Sequence, residues 1–446
     1  MEYHVNINGL DVDATYNNTA VKEIFFPILN KVTRLSKEKD GRVLVLVAAP
    51  PGAGKSTLCS FLEKLSRENS EFTDAQSIGM DGFHRMQEYL ETHKTFRDGK
   101  EITMAQIKGA PETFDLDAFK TKIKEILTLD ETGWPIYDRL LHNPVEDAIT
   151  VDKSVVFLEG NYLLLDEDGW RDIRDLADFS IFIKADPDML RKRLIDRKAK
   201  SGNSIEKATA FVDFSDMANV RLCLEKSMAA DVTLLLKEDD DYSIDKDSIR
   251  KKALSVRNGI SEVEINGKSS LIKDRLLTLK EYENAENILV YASMGSEVMT
   301  DEIILDGLSK GKKVFCPKVT DKSNRQMEFV KIEKLEDLKK GYFGIREPEI
   351  SSDSFIYCCD KYTSESNTLV IMPGVAYDRN RNRLGYGGGF YDTFLDKNRN
   401  VDTVALGFEN QIYCGLFEEV SSGSLDILMD EHDIRPEKII TETEII

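Results

Sequence analysis

The chain has 446 residues, 41% hydrophobic and 31% charged, enough for more than one buried core. Its 80 acidic against 60 basic residues leave a formal charge of −20, which argues against nonspecific binding to nucleic acid or to an anionic membrane. MEYHVNING lacks a basic segment leading into an apolar stretch, no run is long enough to span a bilayer, and the six cysteines show neither CxxC nor zinc spacing. A reducing, cytoplasmic setting is therefore expected.

The first forty residues read as one short strand, NINGLDVDA, and a helix, AVKEIFFPILNKV. GRVLVLVAAPPGAGKSTLCSFLEKL follows, with the apolar run Val43 to Val47 directly before APPGAGKST. This is the strand, phosphate loop and helix order of a Walker A motif, with Ala49 where the first glycine usually stands. Gly52, Ala53 and Gly54 let the backbone wrap phosphates. Lys55 would reach the β- and γ-phosphates, Ser56 would ligate Mg²⁺, and Thr57 opens a helix whose N-terminus faces the anion.

Three later segments narrow the reading. SIGMDGFHRM carries Asp81, WPIYDRLLHNP carries Tyr137, Asp138, Arg139 and His142, and SVVFLEGNYLLLD is an apolar strand closing on Glu159. Together they resemble the small-molecule kinases grouped with uridine kinase and pantothenate kinase. The resemblance implies that Asp81 takes the proton from an acceptor hydroxyl and that Glu159 ends a Walker B-like strand near the metal. KGAPETFDLDAF fits the same pattern. LADFSIFIKAD followed by PDMLRKRLIDRK is a strand and then a helix, with Arg193 and Arg197 one turn apart. In such kinases that pair belongs to a lid over ATP, although an exposed basic helix face would look alike. Asn219, in SDMANV, resembles a late motif near the nucleotide base. His84 and His142 read as contact or packing residues rather than bases.

The alternation of apolar strands and amphipathic helices predicts α/β architecture throughout, with parallel sheets flanked by helices. The acidic run KEDDDYSIDKD, from Lys237 to Asp247, marks the expected boundary. Residues 1–240 are expected to form a P-loop NTPase domain, and 241–446 a second α/β domain.

In that second part MPGVAYDRNRNRLGYGGGFYDTFL is the most informative stretch. An apolar run delivers a loop with Arg379, Arg381 and Arg383 spaced two apart. Leu384, Gly385, Tyr386, the glycines Gly387, Gly388 and Gly389, then Phe390, Tyr391 and Asp392 follow. Glycines let backbone N–H groups close on a phosphate, arginine adds bidentate positive charge, and Asp392 could hold a hard cation. The string resembles the signature of 5-formyltetrahydrofolate cyclo-ligases, and the resemblance runs from Lys246 to the C-terminus. KDSIRKKALSVRNGIS is similar to the family's opening helix, whose ATP-contacting pair would be Lys246 and Arg250. ILVYASMGSEVMTDEII places Glu297 as a folate contact. KKVFCPKV, MEFVKI and GYFGIREP keep the family's order, and DEHDIRPEKIITE places Asp433 as a magnesium ligand. Phe390 stands where the family often has tyrosine, and Glu437, after Pro436, where aspartate is more usual.

This resemblance implies ATP- and Mg²⁺-dependent closure of 5-formyltetrahydrofolate to the 5,10-methenyl form. Arg383 and Tyr386 would lie at the chemistry, Arg383, Leu384, Gly385, Gly387, Gly388, Gly389, Phe390 and Tyr391 on ATP, and Glu297, Tyr386 and Phe390 on folate. The expectation is a fusion of two enzymes acting on small molecules, the kinase acceptor being undetermined. A non-catalytic nucleotide-binding first domain is the competing reading.

Overall fold

Every residue of the strand Val43–Ala48 is buried, as required of a strand covered on both faces. It lies inside a six-stranded sheet whose spatial order is Tyr242–Ile244, Val232–Leu236, Phe179–Ala185, Val43–Ala48, Val155–Gly160, Ala75–Gly79. A second six-stranded sheet runs Gln326–Ile332, Lys313–Asp321, Asn287–Val290, Thr368–Met372, Asp402–Leu406, Lys438–Ile440. These coordinates are a computed structural model; they describe residues 1–446 apart from 8–9, 98, 140, 240, 342–343, 358–366 and 413–432. The chain divides into two units, Met1–Asp245 and Lys246–Ile446, each built on one of the large sheets.

Both units are α/β. The second sheet shows its two-sided burial residue by residue. Ile288, Val290, Leu369 and Ile371 belong to one apolar cluster, whereas the alternating Leu289, Val370 and Met372 belong to another. Successive side chains of a strand point to opposite faces, so each face carries its own core.

Three local features differ from the sequence expectations. Neither sheet is purely parallel, because each ends in one antiparallel strand: Tyr242–Ile244 beside Val232–Leu236, and Gln326–Ile332 beside Lys313–Asp321. A strand that returns through a short connection must pair antiparallel. The segment NINGLDVDA is not one strand. Glu2–Ile7 and Leu10–Thr15 pair antiparallel, two alternating runs on either side of an Asn-Gly pair in the sequence. Lastly, the acidic boundary run contains the edge strand Tyr242–Ile244. Tyr242 is buried there with its ring 5.6 Å from Phe25, so aromatic packing overrides the polar composition of its neighbours.

Among the described residues no helix is long and apolar enough to cross a membrane. Cys59, Cys223 and Cys316 are buried free thiols. The expectations for Cys358, Cys359, Cys414 and residues 430–432 lie outside the described residues.

Candidate functional sites

In the first unit, the loop leaving Val43–Ala48 turns into the helix Lys55–Glu68 through two left-handed glycines, Gly52 (φ +84°) and Gly54 (φ +73°). Gly52 also lies close under the helix Pro187–Lys200, since a Cβ there would sit 3.1 Å from Leu194 Cγ. Parallel pairing of Val47 with Glu159 brings Glu159 beside this loop at the carboxyl ends of adjacent strands. Ser56 Oγ donates to Glu159 Oε1 at 2.8 Å, and Lys55 Nζ lies 3.9 Å from Oε2. Burial raises the Glu159 carboxyl pKa; Lys55 and the Ser56 hydroxyl oppose that shift, and the charge of Asp81 adds to it.

Asp81 sits in the turn Met80–Phe83, which follows the strand Ala75–Gly79. The hairpin bearing Tyr137 and Asp138, Thr132–Asp138 with Asn143–Val151, is fitted against that turn. Trp134 donates its indole N–H to Gly79 O at 2.9 Å, and a Cβ on Gly82 would fall 2.1 Å from Pro135 O. Lys108 Nζ donates to Tyr137 Oη (2.7 Å), Gln87 Oε1 (2.8 Å) and His142 O (3.3 Å). The ring of His84 packs 4.0 Å from Phe114 and 5.2 Å from Tyr137, and burial lowers its pKa. Arg197 is solvent-accessible, yet desolvation lowers its pKa, with Asp216, Arg139 and Asp81 as its charged neighbours. Arg193 lies one turn away on the same helix, and buried Asn219 lies beside Gly109 of the KGAPETF segment.

The second unit holds a cavity of about 1030 Å³ at the carboxyl ends of its central strands. Its wall brings together residues far apart in sequence: Lys246, Arg250, Glu297, the loop from Arg383 to Asp392, and Asp433. Gly389 (φ +66°) is the N-cap of the helix Phe390–Lys397, so this glycine loop also ends in a left-handed glycine at a helix start. Arg250 Nε donates to Gly385 O at 2.9 Å, and Lys246 Nζ donates to Asp433 Oδ2 at 3.0 Å. Both residues come from the helix Lys246–Asn258. Arg383 is buried and donates to Asp392 Oδ1 at 2.8 Å; the same oxygen accepts from the Ile434 N–H.

Of the three alternating arginines only Arg383 lines the cavity. Arg379 pairs with Glu444, and Arg381 donates to Glu437 O at 2.6 Å. Glu437 itself packs beside Thr403, so its departure from aspartate falls outside the cavity wall. Phe390 does line the cavity.

Glu297 is 7% exposed with both oxygens occupied: Oε1 accepts from the Tyr386 hydroxyl at 2.6 Å, Oε2 from the Met294 N–H at 2.9 Å. Burial raises its pKa, against the pull of those two donors and of Arg257. Three neighbours were not singled out in the sequence. Arg257 bonds to Tyr386. Glu347 lines the cavity and accepts from Lys318 Nζ at 2.8 Å. Arg325 stands over the glycine loop, 3.2 Å from where a Gly389 Cβ would be. Arg257 and Glu347 lay in quoted segments, but nothing local distinguishes a charge that turns inward from one that faces solvent.

Phosphate groups suit both places. Arg383 Nε and the Tyr391 hydroxyl are buried without a hydrogen-bond partner among the described residues, and both residues line the cavity. Magnesium suits the hard-oxygen pair Ser56 and Glu159. In the second unit Asp392 and Asp433 are single carboxylates, and the described residues hold no group of three or more metal-ligating side chains. An ion there would draw its remaining ligands from ATP phosphates and water.

The fold and these loops define a P-loop unit followed by a second nucleotide-binding α/β unit. A family model for phosphoribulokinase / uridine kinase matches residues 44–236, and one for 5-formyltetrahydrofolate cyclo-ligase matches residues 242–439. Among similar chains, the uncharacterized protein YggC of Escherichia coli is 37% identical over 243 residues, covering 54% of this chain and 98% of its own. A putative uridine kinase of Schizosaccharomyces pombe, C227.14, is 32% identical over 46% of this chain and 88% of its own. The 5-formyltetrahydrofolate cyclo-ligase of Mus musculus is 28% identical over 43% of this chain and 88% of its own. A solved structure of a putative fructose transport system kinase from Silicibacter sp. TM1040 is 31% identical, covers 45% of this chain and 98% of its own, and superposes with a TM-score of 0.40. The first half of this chain belongs to the phosphoribulokinase / uridine kinase family, and its second half matches the 5-formyltetrahydrofolate cyclo-ligase family model.

Proposed function

We infer that the second unit converts 5-formyltetrahydrofolate to 5,10-methenyltetrahydrofolate with hydrolysis of ATP to ADP and phosphate. The observation that carries this reading is one cavity whose wall brings the Arg383–Asp392 loop, Lys246 and Arg250 together with the buried Glu297 and its hydrogen-bond partner Tyr386. A formyl oxygen on N5 is a poor leaving group. Transfer of the γ-phosphoryl onto it turns it into phosphate, and the N10 lone pair then closes the ring as the C–O bond breaks. Such chemistry needs positioning and charge neutralisation rather than a protein nucleophile. In this reading Lys246, Arg250, Arg383 and the glycine-loop N–H groups bind the phosphates, and Glu297, Tyr386 and Phe390 hold the folate. Asp392 and Asp433 would hold a magnesium ion, which would supply positive charge to offset that of the phosphates. The test is methenyl absorbance from purified chain given 5-formyltetrahydrofolate, ATP and Mg²⁺; no ATP-dependent product from folded protein would remove the assignment.

The first unit, in the same reading, phosphorylates a hydroxyl of a small molecule. Lys55, the Gly52–Thr57 loop, Arg193 and Arg197 would hold ATP, Ser56 and Glu159 the magnesium, and Asp81 would accept the hydroxyl proton. The charge of Asp81 acts on both Glu159 and Arg197, which suits a carboxylate standing close to the phosphate loop. ADP release against a panel of nucleosides, sugars and other small alcohols tests it. Silence across the panel, with nucleotide still bound, would favour a regulatory nucleotide-binding unit.

A further inference from the structure

Arg257 closes the helix Lys246–Asn258 and is only 4% exposed, so its charge must be satisfied from within. Nε donates to Ser296 Oγ at 3.0 Å, Nη1 to Gly374 O at 3.3 Å, and Nη2 to the Tyr386 hydroxyl oxygen at 2.7 Å. The guanidinium thus joins three separate segments at the cavity: the loop before Glu297, the end of the strand Thr368–Met372, and the loop of Tyr386. Gly374 O is itself held by Gln411 Nε2 at 3.0 Å, which fixes that anchor.

The direction of the hydrogen bonds follows from donor chemistry. A guanidinium can only donate, so the Tyr386 oxygen accepts from Arg257. Its proton must then go elsewhere, and the nearby acceptor is Glu297 Oε1 at 2.6 Å. Tyr386 is 46% exposed, and without Arg257 its hydroxyl could turn to solvent or accept from it freely. With Arg257 the hydroxyl has one orientation, and Glu297 is held with Oε1 toward Tyr386 and Oε2 toward Met294 N–H.

We propose that Arg257 is a positioning residue of the cyclo-ligase site: by donating to Tyr386 it fixes that hydroxyl as a donor to Glu297 and presets the folate side of the cavity. Arg257 is not among the residues that line the cavity, and two of its three partners, Ser296 and Tyr386, are next to Glu297 in the chain or bonded to it. The proposal rests on the folate reading of the second unit for its kinetic consequence, and on hydrogen bonding alone for its structural one.

The experiment is a double-mutant cycle in the full chain with Arg257→Lys and Tyr386→Phe, read two ways. In ligand-free protein the shifts in unfolding temperature should be non-additive, because each substitution breaks the same bond. In turnover, Arg257→Lys should lower kcat/KM for 5-formyltetrahydrofolate roughly tenfold or more while the KM for ATP changes less than about twofold. In the Tyr386→Phe background the same change should add less than about twofold. Additive unfolding shifts, or kinetic effects that multiply, would overturn the role of Arg257. Wild-type protein that neither binds nor converts the folate would instead remove the proposed function, and the ligand-free cycle would still decide the Arg257 bond. Should Arg257→Lys fail to fold, Arg257→Gln, which retains donors on a neutral planar head, replaces it in the same cycle.

Discussion

Glu297→Gln should separate stability from function in the second unit. Glu297 is 7% exposed, and burial raises its carboxyl pKa despite donors at 2.6 and 2.9 Å. The sign follows from linkage. A carboxyl whose folded pKa is raised contributes its full stability below the unfolded value, and that contribution is lost as pH rises through the folded one. At neutral pH the ionised group therefore burdens the fold, and a neutral glutamine relieves it. The glutamine oxygen can keep the Met294 N–H bond, which leaves the amide group facing a Tyr386 hydroxyl whose oxygen already accepts from Arg257. The charge-assisted Tyr386–carboxylate bond is lost, about 1.5–3 kcal/mol. If that bond presets the folate site, kcat/KM for 5-formyltetrahydrofolate should fall roughly tenfold to a hundredfold. Unfolding temperature should be unchanged or higher than wild type at pH 7.5, the difference shrinking toward pH 4. Paired thermal scans at the two pH values, with methenyl absorbance for kinetics, check both halves. A variant several degrees less stable at pH 7.5 would show that the carboxylate is a net stabiliser and refute the electrostatic argument.

Lys55→Ala should abolish phosphotransfer by the first unit and spare most methenyl formation, and Asp81→Asn should keep nucleotide binding but lose phosphotransfer; a Lys55→Ala chain that stays folded but loses methenyl formation would contradict two independent ATP sites. Gly389→Ala forces a left-handed alanine, about 1–2 kcal/mol, and puts a methyl 3.2 Å from Arg325 Nη1, so the KM for ATP should rise several-fold in steady-state assays with little change for folate. Arg383→Ala removes the partner of Asp392 and should weaken ATP use by about 1.5–3 kcal/mol if the phosphate contact is direct, measured as kcat/KM for ATP. Gly82→Ala would press a Cβ to 2.1 Å from Pro135 O, so the first unit should lose about 1–3 kcal/mol of stability in denaturant unfolding.

Contiguous motifs were legible in the sequence because their physics is local. Five apolar residues before PPGAGKST specify a buried strand, a phosphate loop and a helix start without reference to anything distant. The RLGYGGGFYD string likewise reads as a glycine loop suited to phosphate, and the structure adds that left-handed glycines stand directly before a helix in both loops. The cyclo-ligase resemblance marked Lys246, Glu297, Arg383 and Asp433, which the fold gathers into one cavity wall. The hairpin of the first fifteen residues and the strand Tyr242–Ile244 were missed for a different reason. Whether an alternating or acidic run pairs depends on the partner strand and on aromatic neighbours such as Phe25, which lie outside the run.

The same limit separates the arginines. Arg379, Arg381 and Arg383 have identical spacing, yet Arg379 and Arg381 hold Glu444 and the Glu437 carbonyl while Arg383 is buried in the cavity. Arg257 reads as one more cation in KDSIRKKALSVRN, and only the meeting of three segments separated by 39, 117 and 129 positions turns it inward onto Tyr386. Sequence alone carried the likeness to two families and the placement of their phosphate-type loops, because loop, strand and helix signals act over a few residues. Tertiary structure decided which charges face a ligand and which only hold the fold, because burial and hydrogen-bond direction are set by groups that meet only when the chain has folded.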